Sequence, residues 1–280
     1  MKTVTSVSGG KTSAYLAANY PTDYNIFALV TTNNTKCKYP DDKVRQIVSD
    51  KIGRDFIGTL EDNVIIDTIL DLEQFLGKEI IWVAGKPFEE LIDMKKNYLP
   101  NVMTRYCTTW MKLDPIFKYW YYNIKKPVYM NIGFRGTEER RANKMLSKLR
   151  DGFDYYRATF KKTKTGRRNR WEDFKWRIPR FPLVDDGIEK NAIELFWQDK
   201  PVRFAYMNNC IGCFHRSASV LNQMAKMNPE KFDWFIEQET RTGNTFKKNI
   251  SYKKIKDTEF TMNIPFGYDS EGCDSGFCGI

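Results

Sequence analysis

Along the first half of the chain, apolar positions switch repeatedly between two periods. Apolar, β-rich runs at 2–7, 26–31, 79–83 and 128–134 predict strands, the last ending at Gly133. Helical spacing predicts helices at Lys11–Asn19, stopped by Pro21, and at 41–52, 62–75, 87–98 and 112–122. Val44, Ile47 and Val48 share one face of the second helix. Ile65, Ile66, Ile69, Leu70 and Leu72 repeat that pattern in the third. Strands alternating with helices mark an α/β domain. The predicted fold is a Rossmann-like, doubly wound parallel sheet of about five strands with helices on both faces.

The second half reads differently. Residues 150–177 are basic, aromatic and poorly periodic, and are expected to form a long loop or insertion. Helical spacing returns at 186–197, 218–226 and 229–240, with a tight turn at 210–213. From Lys247 onward the chain reads as irregular, with Gly267, Gly272, Gly276 and Gly279. No internal repeat is visible. A boundary is expected near residue 150: 1–150 as a nucleotide-binding domain, 151–280 as a smaller irregular and helical part.

Composition narrows the chemistry. The chain has 280 residues, 41% hydrophobic, 15% aromatic and 29% charged, enough to bury a sizeable core and too aromatic for a disordered chain. No run approaches the roughly 18 to 20 apolar residues of a membrane span, and MKTVTSVSGGKTS has no apolar stretch of signal-peptide length. A soluble, cytoplasmic protein without a membrane partner is expected. His215 is the single histidine, so multi-histidine metal sites are excluded within one chain and any Ser-His-Asp triad must use it. Six cysteines are too few for a disulfide scaffold of this size and read as core residues, metal ligands or reactive thiols. The net charge of +10 suits anionic partners.

Ser8-Gly9-Gly10-Lys11-Thr12-Ser13 lies between the first strand and the first helix. Glycines let the backbone turn sharply and approach a phosphate, and the helix N-terminus aims amides at it. Three hydroxyls and the Lys11 charge add donors. The GxxxxGK[ST] spacing of a Walker loop is absent. Arg105, Lys112, Arg135 and Arg141 stand beside predicted strand ends or helix starts, where an open parallel sheet forms its ligand crevice. Converging cations there would neutralise a phosphate chain, with Glu138 holding one of them; the alternative is solvated surface charge. Cys210-x-x-Cys213 is a chelating turn with Gly212 permitting the tight backbone; a redox dithiol and two buried small residues are its alternatives.

These segments resemble a known family. SGGKTS is similar to the PP-loop of the adenine nucleotide alpha-hydrolase superfamily. Arg105-Tyr106-Cys107-Thr108 with Lys112 and Pro115-Ile116 resembles the R-x-C-T…K-x-x-P-I segment of its phosphoadenosine phosphosulfate (PAPS) reductase-like members. Gly133-Phe134-Arg135 with Glu138 and Arg141 resembles their G-I-R-x-x-E-x-x-R. Asn209-Cys210-Ile211-Gly212-Cys213-Phe214, Pro229-Glu230 and 234–239 resemble the late segment of phage and bacterial members. Four segments in the family's order span residues 6 to 240. Thr12 stands where many pyrophosphatase members carry Asp, and Thr31-Thr32-Asn33-Asn34 departs from the reductases after the second strand.

The resemblance implies an enzyme that binds ATP or a PAPS-like nucleotide through Ser8, Gly9, Gly10, Lys11, Thr12, Ser13, Arg105, Lys112, Gly133, Arg135, Glu138 and Arg141. It would adenylate an acceptor with pyrophosphate release, or transfer sulfur, with Mg as an accompanying ion and a nucleic acid as one acceptor class. Lys11, Cys107, Arg135 and Cys278 are its implied catalytic residues. It further implies a [4Fe-4S] cluster on Cys107, Cys210 and Cys213, the fourth ligand coming from Cys273 or Cys278 or being absent. Zinc on Cys210, Cys213, Cys273 and Cys278 is the competing arrangement. Phe277-Cys278-Gly279-Ile280 resembles the reductase tail that carries its nucleophile, without the tail's acid and histidine. Cys37 reads as structural, and His215 as structural or supporting the metal site.

The run from 161 to 170 holds six cations, Lys161, Lys162, Lys164, Arg167, Arg168 and Arg170, and no carboxylate; Trp171 follows. Cations track phosphates and aromatic faces stack on bases, so DNA or RNA is an expected partner, against a solvated loop. A homodimer is the expected assembly. The reading from a different class is a non-catalytic nucleotide- or nucleic-acid-binding module on the same fold.

Overall fold

The computed structural model describes residues 1–260. Its strands are β1 (Thr3–Val7), β2 (Tyr24–Leu29), β3 (Ile80–Ala84), β4 (Val128–Asn131), β5 (Asp154–Lys162) and β6 (Asn169–Arg180). They form one six-stranded sheet in the order β3-β2-β1-β4-β6-β5. All neighbours are parallel except β5, which runs antiparallel along β6. The registers Thr5↔Asn25, Thr5↔Asn131 and Asn131↔Arg180 align the C-terminal ends of the parallel strands on one edge.

The helices are α1 (Lys11–Asn19), α2 (Asp42–Ile52), α3 (Val64–Leu76), α4 (Phe88–Met94), α5 (Tyr106–Thr108), α6 (Asp114–Tyr119), α7 (Glu139–Leu146), α8 (Pro182–Asp185), α9 (Lys190–Trp197), α10 (Ala218–Met227), α11 (Pro229–Thr242) and α12 (Tyr252–Asp257). Turns of π-helix at Thr109–Leu113 and Trp120–Ile124 join α5 and α6 into one helical stretch from 106 to 124. Local chemistry sets several ends. Asp41 caps α2 by accepting from the Lys43 and Val44 amides at 2.8 and 3.0 Å. Ser217 caps α10 through the Val220 amide.

Three apolar clusters hold the layers together. One packs α1, α2, α3 and α9 on one face of the sheet; Ile65, Ile66, Ile69 and Leu72 are its α3 contribution, each fully buried. Burial of such a side chain contributes about 1.5–3 kcal/mol. A second packs α6 and α7 on the other face with Val4, Ile26, Ala158, Trp176 and Phe181. The third joins α4 to α10, α11 and α12 around Phe232, Trp234 and Phe235. The doubly wound α/β prediction holds, with a sixth, antiparallel strand at its edge.

Two expectations need correction. Residues 150–177 are not a loop: β5 and β6 form a long hairpin that completes the sheet beyond the boundary expected near 150. Its period of two is present in Tyr156, Ala158 and Phe160 and in Phe174 and Trp176, which turn towards α6. Interleaved cations obscured it, because they occupy the solvent-facing alternate positions. The stretch after Lys247 also holds a helix, α12, capped by Ser251 and anchored by buried Tyr252 and Ile255. Cys273, Cys278 and the late glycines lie outside the described residues. Among the described residues no helix is long and apolar enough to cross a membrane.

Candidate functional site

Strand order reverses between β1 and β4: from β1 the chain builds outward to β2 and β3, then returns to β4 on the other side. In an open α/β sheet the crevice at this reversal, beyond the strand C-termini, is where ligands bind. The loop 8–13 leaves β1 there and Gly133–Arg135 leaves β4 beside it. A Cβ on Gly133 would stand 3.4 Å from the Ser13 Cα.

The loop is stapled from inside. Gly9 sits at φ +78°, and a Cβ there would come within 2.6 Å of Ile65 Cγ2, so any side chain is excluded twice over. Ser13 is fully buried; its hydroxyl donates to the Gly10 carbonyl at 3.1 Å and accepts from the Ser8 amide at 3.0 Å. Ser8 and Thr12 are also buried. Ser13 therefore shapes the loop from behind, while Lys11 and Thr12 reach the crevice.

That crevice is a cleft of about 240 Å³ lined by Lys11, Thr12, Arg135, Lys190, Glu194 and Asn208 among its polar residues, with Ile193, Phe204 and Tyr206 as apolar wall. α9 forms the far wall: its Trp197 indole donates to the Lys11 carbonyl at 3.0 Å, and Phe196 packs edge-on to Tyr15 of α1. Glu194 pairs with Lys11. Arg135 is buried, its Nε 3.2 Å from Glu138 Oε2, and the same carboxylate oxygen accepts from the Arg135 amide at 2.9 Å. Glu138 also pairs with Arg141, whose guanidinium lies 4.3 Å over the Phe134 ring. Glu138 thus holds two of the predicted cations rather than one.

Arg105 and Lys112 do not join the cleft lining; they lie beside the cysteine turn. Cys210 bridges to Glu61 in a short antiparallel contact, and the Ile211 amide donates to Leu60 at 2.8 Å. Lys112 donates to Glu61 Oε1 at 3.0 Å and to Asn209 at 3.3 Å. Burial alone would lower the Lys112 ammonium, but Glu61, helped by Cys210 and Cys213, outweighs it and holds it above its ordinary value. Arg105 reaches His215 Nε2 at 3.3 Å; burial first, then Arg105 and Lys247, pushes the imidazole down to about 4. Asn208 on the cleft, Asn209 on Lys112 and Cys210 are consecutive, so one segment joins the two sites. Gly212 is required by packing and not by its turn: a Cβ there would meet the Phe235 ring at 2.5 Å.

Cys213 comes close enough to both Cys107 and Cys210 to disfavour their thiolates. Burial, then Cys213, pushes Cys107 up to about 12, and burial, then Glu61, raises Cys210 well above its ordinary value. These are the sulfur donors a cluster would use. Among the described residues, however, no three His, Cys, Asp or Glu side chains are arranged to hold a metal ion. Cys37 is buried and pushed up to about 12 by that burial.

The six cations of 161–170 lie on the outer end of the β5–β6 hairpin and are exposed; Trp171 is 48% exposed. Four features of the site had no sequence signal. Lys190, Glu194, Phe204 and Tyr206 stand about 180 or more positions from the loop they face; the packing of α9 on α1 brings Lys190 and Glu194 there, and the segment after α9, with Phe204 against Trp197, brings the other two. Comparison with protein-family profiles, with curated proteins and with solved structures finds no match to any of them.

Proposed function

We propose that the chain is a nucleotide-binding enzyme of the PP-loop type, taking ATP or a PAPS-like adenine nucleotide in the cleft between β1 and β4. The observation that carries this is the meeting of Lys11, Thr12, Arg135 and Lys190 in one cleft at the sheet's reversal point, over the N-terminus of α1. Amides at that N-terminus and the helix dipole favour a phosphate group. Lys11 and Lys190 supply point charges, and Arg135, fixed by Glu138, supplies a rigid planar donor. The apolar wall of Ile193, Phe204 and Tyr206 suits the flat face of a base or its ribose.

In the adenylation form of this reading, an acceptor attacks the α-phosphorus and pyrophosphate leaves. Charge builds on the leaving β,γ-phosphates, where Lys11 and Arg135 neutralise it without reorganising. Glu194 releases Lys11 as the phosphates enter. Mg²⁺ that travels with ATP belongs to the substrate. An iron-sulfur cluster would supply electron or sulfur chemistry at Cys107, Cys210 and Cys213, but these three form no metal-holding group among the described residues, and the adenylation reading needs none.

A second reading, a binding module without turnover, is favoured by Thr12, which brings a hydroxyl where a carboxylate would stand in many pyrophosphatases. Equilibrium binding of ATP and pyrophosphate release, measured side by side, separate the two. Lys11→Ala is expected to weaken ATP binding about tenfold, or 1.4 kcal/mol, through lost charge-assisted contacts. Unchanged ATP affinity in a folded Lys11→Ala protein would remove the phosphate site from the cleft. Tight binding with no pyrophosphate, whatever acceptor is offered, would leave the module reading.

A further inference from the structure

The basic run lies on the opposite edge of the molecule from the cleft. β6 runs parallel to β4 and its Arg177 pairs with Val128, the first residue of β4. Residues 169 to 176 therefore extend past the N-terminal edge of the parallel sheet, with β5 as their strand partner. At about 3.3 Å per residue, the tip at 163–168 stands roughly 40 Å from the strand ends that form the cleft. The tip cannot serve the phosphates of a nucleotide bound there.

The ribbon is built to hold its shape away from the body. At its base Phe117 stacks on Tyr156 at 4.3 Å and Tyr121 stacks on Phe160 at 3.8 Å, with Phe174 and Trp176 closing the cluster. A register shift between Ala158 and Lys161 turns the outer part relative to this base. The tip is closed by Thr163 donating to Arg168 O at 2.8 Å and Gly166 donating to Thr163 O at 2.8 Å.

Charge sits on both faces of the ribbon. Lys161 and Lys162 are neighbours on one strand and so point to opposite faces; Arg170 lies across from Lys161. Lys164, Arg167 and Arg168 surround the turn, all exposed. Arg170 is tied to Glu172 at 2.7 Å, and residues 161–170 hold no carboxylate. A platform for a single strand presents stacking aromatics on one face. Here the exposed aromatic is Trp171, at one side, and both faces are cationic. Two cationic faces match two phosphate backbones, one on either side of a groove. A two-stranded ribbon fits the roughly 12 Å major groove of B-form DNA, whereas the A-form major groove is too narrow for it.

We propose that the β5–β6 ribbon is a DNA-docking element that enters the major groove of a B-form duplex, with Lys161, Lys162, Lys164, Arg167, Arg168 and Arg170 contacting both phosphate backbones, separately from the cleft. It anchors the protein on duplex DNA and does not feed the cleft of the same chain. This holds whether or not the cleft takes a nucleotide.

The test is fluorescence anisotropy of the full chain with a labelled 20-base-pair DNA duplex, the corresponding single strand and the corresponding RNA duplex, over roughly 25–200 mM salt. The duplex DNA is expected to bind at least tenfold tighter than either alternative. Its affinity should fall linearly with log salt, with a slope of about 0.9 per neutralised phosphate. Changing all six cations to Gln should reduce the duplex affinity at least tenfold and flatten the slope by several, while the melting temperature and ATP affinity stay at wild-type values. Equal or tighter binding of the single strand or RNA duplex overturns the groove assignment. No duplex binding at 25 mM salt, or an unchanged slope in a folded Gln variant, overturns the ribbon as a DNA element.

Discussion

The cleft and the ribbon are both cationic, and they are built in opposite ways. In the cleft Lys11 and Arg135 each have a carboxylate at hand, Glu194 and Glu138, and Glu138 also holds Arg141 beside it. Those groups are half-buried or buried and fixed in direction. On the ribbon six cations fall within ten residues, exposed on two strands and a turn. Preset geometry recognises a small ligand of defined shape; dense, exposed charge follows a polyanion and responds to salt. The two sites share the sign of their charge and differ in its burial and pairing.

The largest expected effect breaks the ribbon at its base. Phe117 is fully buried and touches Tyr156, Trp120, Phe160, Phe174 and Trp176. Phe117→Ala is expected to lower unfolding free energy by about 3–5 kcal/mol in urea titration. A loss under about 1.5 kcal/mol would mean the ribbon is not packed on α6.

Helix α11 carries an ionisable group that folding removes from water. Lys231 is 6% exposed, donates to Glu61 O and Asn63 Oδ1, and is pushed down to about 8, chiefly by burial. Above about pH 10.5 both states are neutral and its contribution is fully present. Between about 8 and 10.5 only the unfolded chain holds the proton, so stability falls as pH is lowered, by up to about 3 kcal/mol. Below 8 the loss is complete. Unfolding free energies of wild type and Lys231→Met, measured from pH 7 to 10.5, should therefore diverge in slope across that window; parallel curves would contradict the depressed pKa.

Gly9→Ala sharpens the contrast within the cleft. The positive φ and the approach of Ile65 together are expected to reduce stability by about 2 kcal/mol and to weaken ATP binding, with DNA affinity unchanged. An Ala variant as stable as wild type would rule out the stapled loop geometry. The smallest effect tests pairing itself. Glu194→Gln frees Lys11 and should tighten ATP binding about two- to fivefold, in line with the 0.5–1 kcal/mol of a half-exposed ion pair. Weaker ATP binding in that variant would instead make Glu194 a ligand-contacting group.

Much of the doubly wound sheet was legible because β1 to β4 and the helices between them each carry one uninterrupted period. Lys11–Asn19 is predicted and observed over the same residues, since a glycine pair opens that helix and Pro21 lies just past its end. The strand over 26–31 lies two residues earlier, at Tyr24–Leu29, because pairing with β1 and β3 rather than apolarity fixes its ends. The hairpin was not legible: its inward residues are mostly aromatic, its exposed residues mix cations with Trp171 and Asp173, and the density of charge masks the alternation.

The sequence by itself determined the alternating α/β order, the glycine loop before α1, the Cys210-x-x-Cys213 turn and the concentration of charge at 161–170, because each is set by neighbours within a few residues. Tertiary structure alone decided that Ser13 is buried behind the loop while Lys11 faces Glu194 across the cleft. It alone gathered Cys107 with the cysteines about a hundred positions later, and sent Arg105 and Lys112 to that cluster instead of the cleft. It also placed the basic run on the edge opposite the cleft, since strand direction and register, which depend on pairing partners far along the chain, fix on which edge a hairpin emerges.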